Sequence, residues 1–407
     1  MAIEDFSALH KVAYGEGVPE LVPDFAMIQK DIKFSQKDIM GDYFEQAVRL
    51  SLPSGFTRAM GDGSAGAFTL NGATGGTQKK AKVYGYQLAL QDQIAYEDLV
   101  KASKGGAQSY KKSTAMFWEG MQLSMRKMIE INSLYGNKGI AKLSAYTSAT
   151  PSITIAESDF APQIWAGLEG VSIEVMNGTT STVRDTPVTV VSVDIDTRIV
   201  TLSGTVSGAA ANDIVYFKGG YGKEASGLFD ILSNTGTLFN ISATTYTNWR
   251  AATHAVSGAF SFQALKKGLG KGVAKGLMYP INVYCSIGAF DDLIGDIHQL
   301  RQVDKSEVRK IELGQDEVCY KYAGVSATIK PHPMVKNAHA LGVVPQFAKR
   351  IGAADVAFGM PNDPDEKIWF DLETKAGKEG RMYTHQGIVS EMPGVNVYWS
   401  AITNRAT

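Results

Sequence analysis

The chain has 407 residues, enough for two or three domains with cores of their own, and its 44% apolar and 20% charged content is that of an ordinary water-exposed protein. Its formal net charge of -1 excludes a protein built mainly to grip nucleic acid, which would carry a basic surplus. Two isolated cysteines, Cys285 and Cys319, form neither a disulfide framework nor a zinc spacing; both sit in strand-like runs and read as buried free thiols.

The N-terminus, MAIEDFSALHKVAYGEG, lacks a basic start followed by an apolar run, so it does not read as a signal peptide. No apolar stretch is long enough to span a membrane. The first forty residues have no strong period and read as an arm that packs on something else. DYFEQAVRLSL (Asp42 to Leu52) alternates loosely, as a strand does. FTRAMGDGSAGAFTLNGATGGTQKK follows, with almost no core-forming residues, and is expected to be extended and exposed. The next segment, AKVYGYQLALQDQIAYEDL, alternates at Val83, Tyr86, Leu88 and Leu90. The two together are expected to form a long, protruding β-hairpin.

The stretch Gly106 to Gly136 carries the clearest period. Phe117, Met121, Met125, Met128, Asn132 and Tyr135 recur three and four apart, on one face of a helix. Trp118, Leu123, Ile129 and Ile131 widen that face. Lys111, Lys112, Glu119, Arg126, Lys127 and Glu130 are assigned to the wet side, and Gly136 to the helix stop. A helix roughly 40 Å long needs something equally long to lie on, so it is read as the spine of the fold.

Beyond it, IAKLSAY reads as a short strand and Ser158 to Leu168 as a short helix capped by Ser158 or Asp159. Val171 to Gly220 is almost free of helix signals and reads as a small inserted β-module. Ser261 to Gly276 is expected to be helical, INVYCSI a strand, and AFDDLIGDIHQLRQV a second helix opened by Asp291-Asp292. Strands with glycine and proline turns finish the chain. The fold class is α+β.

No catalytic set stands out. Gly61, Gly63 and Gly66 match G-x-G-x-x-G but lack the strand before and helix after that a dinucleotide site needs. Gly268, Gly270 and Gly272 lie beside Lys271 and Lys275, yet no Ser or Thr follows either lysine as a phosphate loop requires, so they read as a glycine-weakened helix. His10, His254, His298, His332, His339 and His385 are scattered at no metal-binding interval. The acid cluster Asp363-x-Asp365-Glu366 sits in a turn without an EF-hand pattern. No catalytic residue, metal or cofactor is assigned. The one basic cluster, Lys79, Lys80 and Lys82, lies at the base of the expected hairpin with Tyr84 and Tyr86; these five are the candidate inter-subunit contacts.

The order of arm, glycine-rich loop with KVYGYQLALQDQIAYEDL, spine helix, and the run GLFDILSNTGTLFNISATTYTNWRAAT ending in Asn248-Trp249-Arg250 resembles the major capsid proteins of tailed bacteriophages of the Hong Kong 97 type. That resemblance implies an N-terminal arm over 1–55, an extended loop over 56–97, and a peripheral domain with the spine helix over 98–170. It implies an inserted β-module over 171–222, a peripheral return over 223–260, an axial domain over 261–345 and peripheral C-terminal strands over 346–407. It further implies a non-enzymatic subunit that forms pentamers and hexamers of itself around double-stranded DNA, held weakly and non-specifically. A separate scaffolding protein and a portal are its expected partners, with a decoration protein as an optional one. The expected place is the virion capsid, assembled in the host cytoplasm. An encapsulin-type bacterial compartment shares the expected fold. A soluble nucleotide-binding enzyme and a β-rich adhesion or tail protein are the readings from other classes.

Overall fold

The computed structural model describes residues 26–39, 41–63, 66–97, 107–301, 317–359 and 368–404. Residues 1–25 and 40 of the expected N-terminal arm, His10 among them, and the acid cluster at 363–366 lie outside the described residues. A five-residue helix (Met27–Asp31) leads into β1 (Phe34–Ile39). Next come β2 (Phe44–Arg49), β3 (Gln78–Val83) and β4 (Tyr86–Ala95), and then the long helix Ala107–Leu134. At 1.5 Å per residue that helix spans about 42 Å. It ends where Gly136 takes φ +46°; a Cβ there would stand 1.9 Å from the Ala225 carbonyl oxygen.

Six strands then close into a barrel: β5 (Ala141–Thr147), β6 (Ser152–Ile155), β7 (Ser172–Met176), β8 (Val188–Asp194), β9 (Ile199–Leu202) and β10 (Ile214–Phe217). Its interior is filled at every second position, by Ile153, Ile155, Ile173, Val175, Val188, Val190, Val200, Leu202 and Val215. The barrel draws in β5 and β6, which precede the segment expected as the β-module. A short helix (Leu228–Ser233) and a two-stranded hairpin of β11 (Thr237–Leu238) and β12 (Ile241–Ser242) follow.

The remaining strands build two sheets. β13 (Ala252–Gly258), β14 (Ile281–Cys285), β15 (Val318–Tyr322), β16 (Val325–Pro331) and β17 (Ala340–Val343) belong to a six-stranded sheet. β18 (Ala348–Phe358), β19 (Trp369–Asp371) and β20 (Gly377–Ser390) join β1 and β4. The last strand, β21 (Val397–Ile402), returns to the six-stranded sheet, whose order is β13-β21-β17-β14-β16-β15. Two of its strands, β13 and β21, thus come from outside 261–345.

The helix Phe262–Ala274 lies against that sheet at very short range. A Cβ on Gly268 would stand 2.1 Å from Trp399 Nε1, and one on Gly272 would stand 2.8 Å from Val397 Cγ2. Two glycines four apart on one face are what lets the helix settle there. Trp399 is fully buried beneath them and donates Nε1–H to the Ala264 carbonyl at 3.2 Å.

Four sequence expectations are corrected. The hairpin is made by β2 and β3, with Phe44 opposite Val83 and Arg49 opposite Gln78, whereas β4 pairs with β20 from Tyr86–Gln386 to Ala95–Gly377. Glu130 is not on a wet side; it is fully buried, because the last turns of the long helix are covered all round. Cys285 is buried but Cys319, on the edge strand β15, is exposed. The helix after β14 (Ile287–Arg301) begins at Ile287, with the Ser286 hydroxyl accepting from Ala289 N–H at 3.3 Å, so Asp291 falls in its second turn.

Candidate assembly site: the hairpin and its seat

β2 and β3 alternate so that Glu45 stands opposite Lys82 and diagonal to Lys80. The carboxylate takes both lysines, Lys80 at 2.9 Å and Lys82 at 3.4 Å. The hydrogen bond from Lys80 is the first cause that holds Glu45 below the usual carboxylate range. Lys82 also lies 4.4 Å over the Tyr43 ring, whose charge interaction and the Glu45 bond raise its pKa. Lys79 stands 5.2 Å over Tyr246. Two cations share one carboxylate here, so the root of the hairpin keeps a positive excess.

Beyond Arg49 and Gln78 the two limbs run on side by side without a ladder. Leu50 N–H donates to the Thr77 carbonyl at 2.9 Å, Ser54 N–H to the Thr74 carbonyl at 3.1 Å, and Asn71 Nδ2 to the Phe56 carbonyl at 2.8 Å. Gly76 permits this: a Cβ there would sit 2.6 Å from the Ser51 carbonyl oxygen. The pairing from Arg49 to Phe56 adds about 23 Å of reach at 3.3 Å per residue.

This projection carries its apolar side chains outward. Leu52 is 72% exposed, Phe56 74%, Met60 74%, Phe68 52% and Leu70 75%. A run of large apolar groups left in water on a projecting element marks an interaction surface. Gly61, Gly63 and Gly66 lie on the same exposed tip, and no described strand or helix flanks them.

The seat of the hairpin is fixed by two hydrogen bonds joined through a tight turn. Lys82 N–H donates to the Phe239 carbonyl at 3.0 Å. Phe239 and Asn240 form the two-residue turn between β11 and β12, at φ +50° and +64°. Such a turn suits hairpin twist but costs a bulky side chain energy, so its surroundings must hold it. Trp249, buried, does this by donating Nε1–H to the Leu238 carbonyl at 3.0 Å. Trp249 also lines a groove of about 230 Å³ at the hairpin root, shared with Val48, Leu50, Lys275 and Glu391.

Of the five candidate contact residues, the structure groups Lys79, Lys80, Lys82 and Tyr84 at the root and turns Tyr86 away. Tyr84 is 60% exposed and lies 5.9 Å from the Tyr43 ring. Tyr86 is buried in the chain's own interior, and that burial pushes its hydroxyl well above the ordinary tyrosine range.

Three polar residues tie the segment before β1 to this body: Glu130, which the sequence placed on the wet side, and Asp31 and Arg350, which it did not single out. The Glu130 carboxylate accepts from Ile28 N–H at 2.7 Å and Gln29 N–H at 3.2 Å. Asp31 accepts from Tyr284 Oη at 2.6 Å and pairs with Lys330 at 2.9 Å. Arg350 donates Nε–H to the Ile32 carbonyl at 3.0 Å and forks onto Asp355. Their partners lie far off in the chain, so no local pattern announces them. Among the described residues no His, Cys, Asp and Glu group has the makings of a metal site, and no helix is long and apolar enough to cross a membrane.

The sequence matches no protein-family model and no curated protein. The fold does match solved structures over nearly its whole length. A chain of the cyanophage A-1(L) capsid asymmetric unit aligns at a TM-score of 0.56 and 11% identity, covering 98% of each chain. A chain of the capsid of a native GTA particle aligns at 0.51 and 7% identity, covering 99% of this chain and 100% of that one. The chain therefore has the α+β fold of Hong Kong 97-type capsid shells.

Proposed function

We propose that this chain, built on the Hong Kong 97-type shell fold, is the major capsid protein of a tailed bacteriophage. It assembles with copies of itself, as hexamers and pentamers, into an icosahedral shell around double-stranded DNA. Its role is structural. The observation that carries the proposal is the projecting hairpin, whose five large apolar side chains are exposed while its root is pinned to the body. A rigidly seated apolar projection is suited to lie on a neighbouring copy, and symmetry then repeats that contact around the shell. The exposed Lys80 and Tyr84 at the root extend the proposed contact; Tyr86 supports it from within. A scaffolding protein, a portal and an outer decoration protein complete the proposed set of partners.

Electron microscopy of the full chain, expressed alone and with candidate scaffolding proteins, tests the proposal. Closed shells or hexagonal lattices are expected. Replacing residues 54–74 by a short Gly-Ser link keeps β2 and β3 and should leave a folded subunit that builds no shell. Normal shells from that variant would remove the hairpin from assembly. Discrete small particles from the unaltered chain under both conditions would overturn the capsid role, and shells filled with a cargo enzyme in place of DNA would make the chain an encapsulin.

A further inference from the structure

Charge is not evenly spread along this nearly neutral chain. Residues 231–290 contain no Asp or Glu, although the whole chain carries 41. Within that span lies the helix Phe262–Ala274, and its outward face bears Lys266, Lys267 and Lys271, all exposed. Helical spacing sets the three lysines along the margins of one face, with Gln263, Gly270 and Ala274 between them. The buried positions, Ala264, Leu265, Gly268, Leu269 and Gly272, lie on the side turned to the sheet.

None of the three ammonium groups is neutralised among the described residues. Lys271 donates to the Thr253 carbonyl at 2.9 Å, and Lys266 lies 5.6 Å over the Tyr322 ring. Both contacts steer the side chain and leave its charge in place. His254, on the neighbouring edge strand β13, records the resulting field: burial first, then Lys271 and Lys267, lower its pKa. Lys275 is different. Its ammonium is taken up by the Arg250 carbonyl at 2.8 Å and the Ala251 carbonyl at 3.3 Å, so it closes the helix end.

We infer that this face of the axial helix is the surface that meets the packaged nucleic acid, binding the phosphates of a DNA duplex without reading its bases. The inference rests on the shell reading above, and it assigns the lysine face of the axial sheet to the inside of the particle. Three exposed ammonium groups around a low centre of glycine and alanine can approach a phosphate backbone but offer no paired donor and acceptor pattern to base edges. Three phosphate contacts also give a weak, salt-sensitive grip, which lets a packaged genome slide.

The test compares the unassembled full chain with three triple variants, using fluorescence anisotropy of a labelled 30-base-pair duplex. One variant is Lys266→Glu, Lys267→Glu, Lys271→Glu. The control is Lys142→Glu, Lys218→Glu, Lys223→Glu, which reverses as many exposed lysines elsewhere. Three contacts predict an affinity loss of about forty-fold between 50 and 200 mM salt for the unaltered chain. The helix variant should lose binding and that salt dependence, and the control should keep most of both. Lys266→Gln, Lys267→Gln, Lys271→Gln should fall with the helix variant. Equal losses in both Glu variants would reduce the effect to bulk charge and overturn the inference. So would unchanged duplex binding by a helix variant that no longer co-assembles with an acidic scaffolding protein, since the face would then belong to a protein. Wild-type shells seen by microscopy together with either of these results would sink the inference and leave the capsid role standing.

Discussion

Glu130 Oε1 lies 3.0 Å from His332 Nε2, with both side chains closed off from solvent. Met334 N–H donates to His332 Nδ1 at 3.1 Å, which leaves the ring proton on Nε2, aimed at the carboxylate. The same carboxylate accepts the first backbone N–H groups of the helix Met27–Asp31. One buried acid thus joins the long helix, the end of β16 in the six-stranded sheet and the N-terminal segment.

Glu130→Ala strands the Ile28 and Gln29 amides and the His332 imidazole at once. Its expected cost is about 3 kcal/mol, since buried donors lose their acceptor together. Glu130→Gln keeps one oxygen as acceptor and should lose less. Urea midpoints of the purified chain measure both; a Glu130→Ala midpoint equal to that of the unaltered chain would rule out the anchoring role.

The glycines of the helix Phe262–Ala274 divide by the side they face. Gly268→Ala drives a methyl into the Trp399 indole and should cost roughly 2 kcal/mol or more. Gly270→Ala meets the Tyr322 side chain, at 3.6 Å from its hydroxyl and 3.7 Å from Cε1, both ordinary contacts. There the better helix propensity should raise stability by up to about 1 kcal/mol. Melting temperatures of the two variants should therefore move in opposite directions.

Trp249→Phe removes the donor to the Leu238 carbonyl and should cost about 1 kcal/mol. Its sharper consequence is local. With the β11–β12 turn loosened, the Lys82 amide loses its steady acceptor at Phe239. Hydrogen exchange at Lys82 should speed up in the variant while exchange inside the barrel stays unchanged; equal exchange at Lys82 would break the proposed chain of contacts.

His339 is expected to make the stability of the chain sensitive to acid. Burial first, and then Lys336, lowers its pKa from 6.5 to about 4, with Asp159 opposing and Lys142 adding to the shift. Tyr398 Oη stands 2.8 Å from its Nδ1 and Phe229 packs on its ring. The unfolded chain binds a proton below pH 6.5 and the folded chain only near pH 4, so this residue's contribution to stability is present above that window and lost as pH falls through it. In melting curves from pH 7 to pH 4, His339→Gln should lose less stability than the unaltered chain. Parallel curves would mean that other groups carry the acid response.

The long helix was legible because Met121, Met125, Asn132 and Tyr135 all fall on one face and are all buried. Period alone misplaced Glu130: it lies next to that face, and only Ile28 and His332, about a hundred and two hundred positions away, make its burial tolerable. The hairpin shows the same division. A loop with nothing to bury had to be extended and exposed, and Phe56 and Leu70 are. Alternation in β4 could not say which strand it joins, since every alternating neighbour is equally acceptable locally. Its partner β20 is chosen by Met382 packing with Leu88, Leu90 and Met121 of the long helix.

By itself, then, the sequence determined the elements, the α+β class and the order of parts that resembles a capsid subunit, because periodicity, turn chemistry and lack of core residues act over a few neighbouring positions. Tertiary structure decided which strands pair, which glycines face an indole, and which charges are spent inside the chain and which remain free on a helix face. Those outcomes depend on surfaces brought together from distant parts of the chain, where close packing and the need to partner buried polar groups select one arrangement among many that local pattern allows.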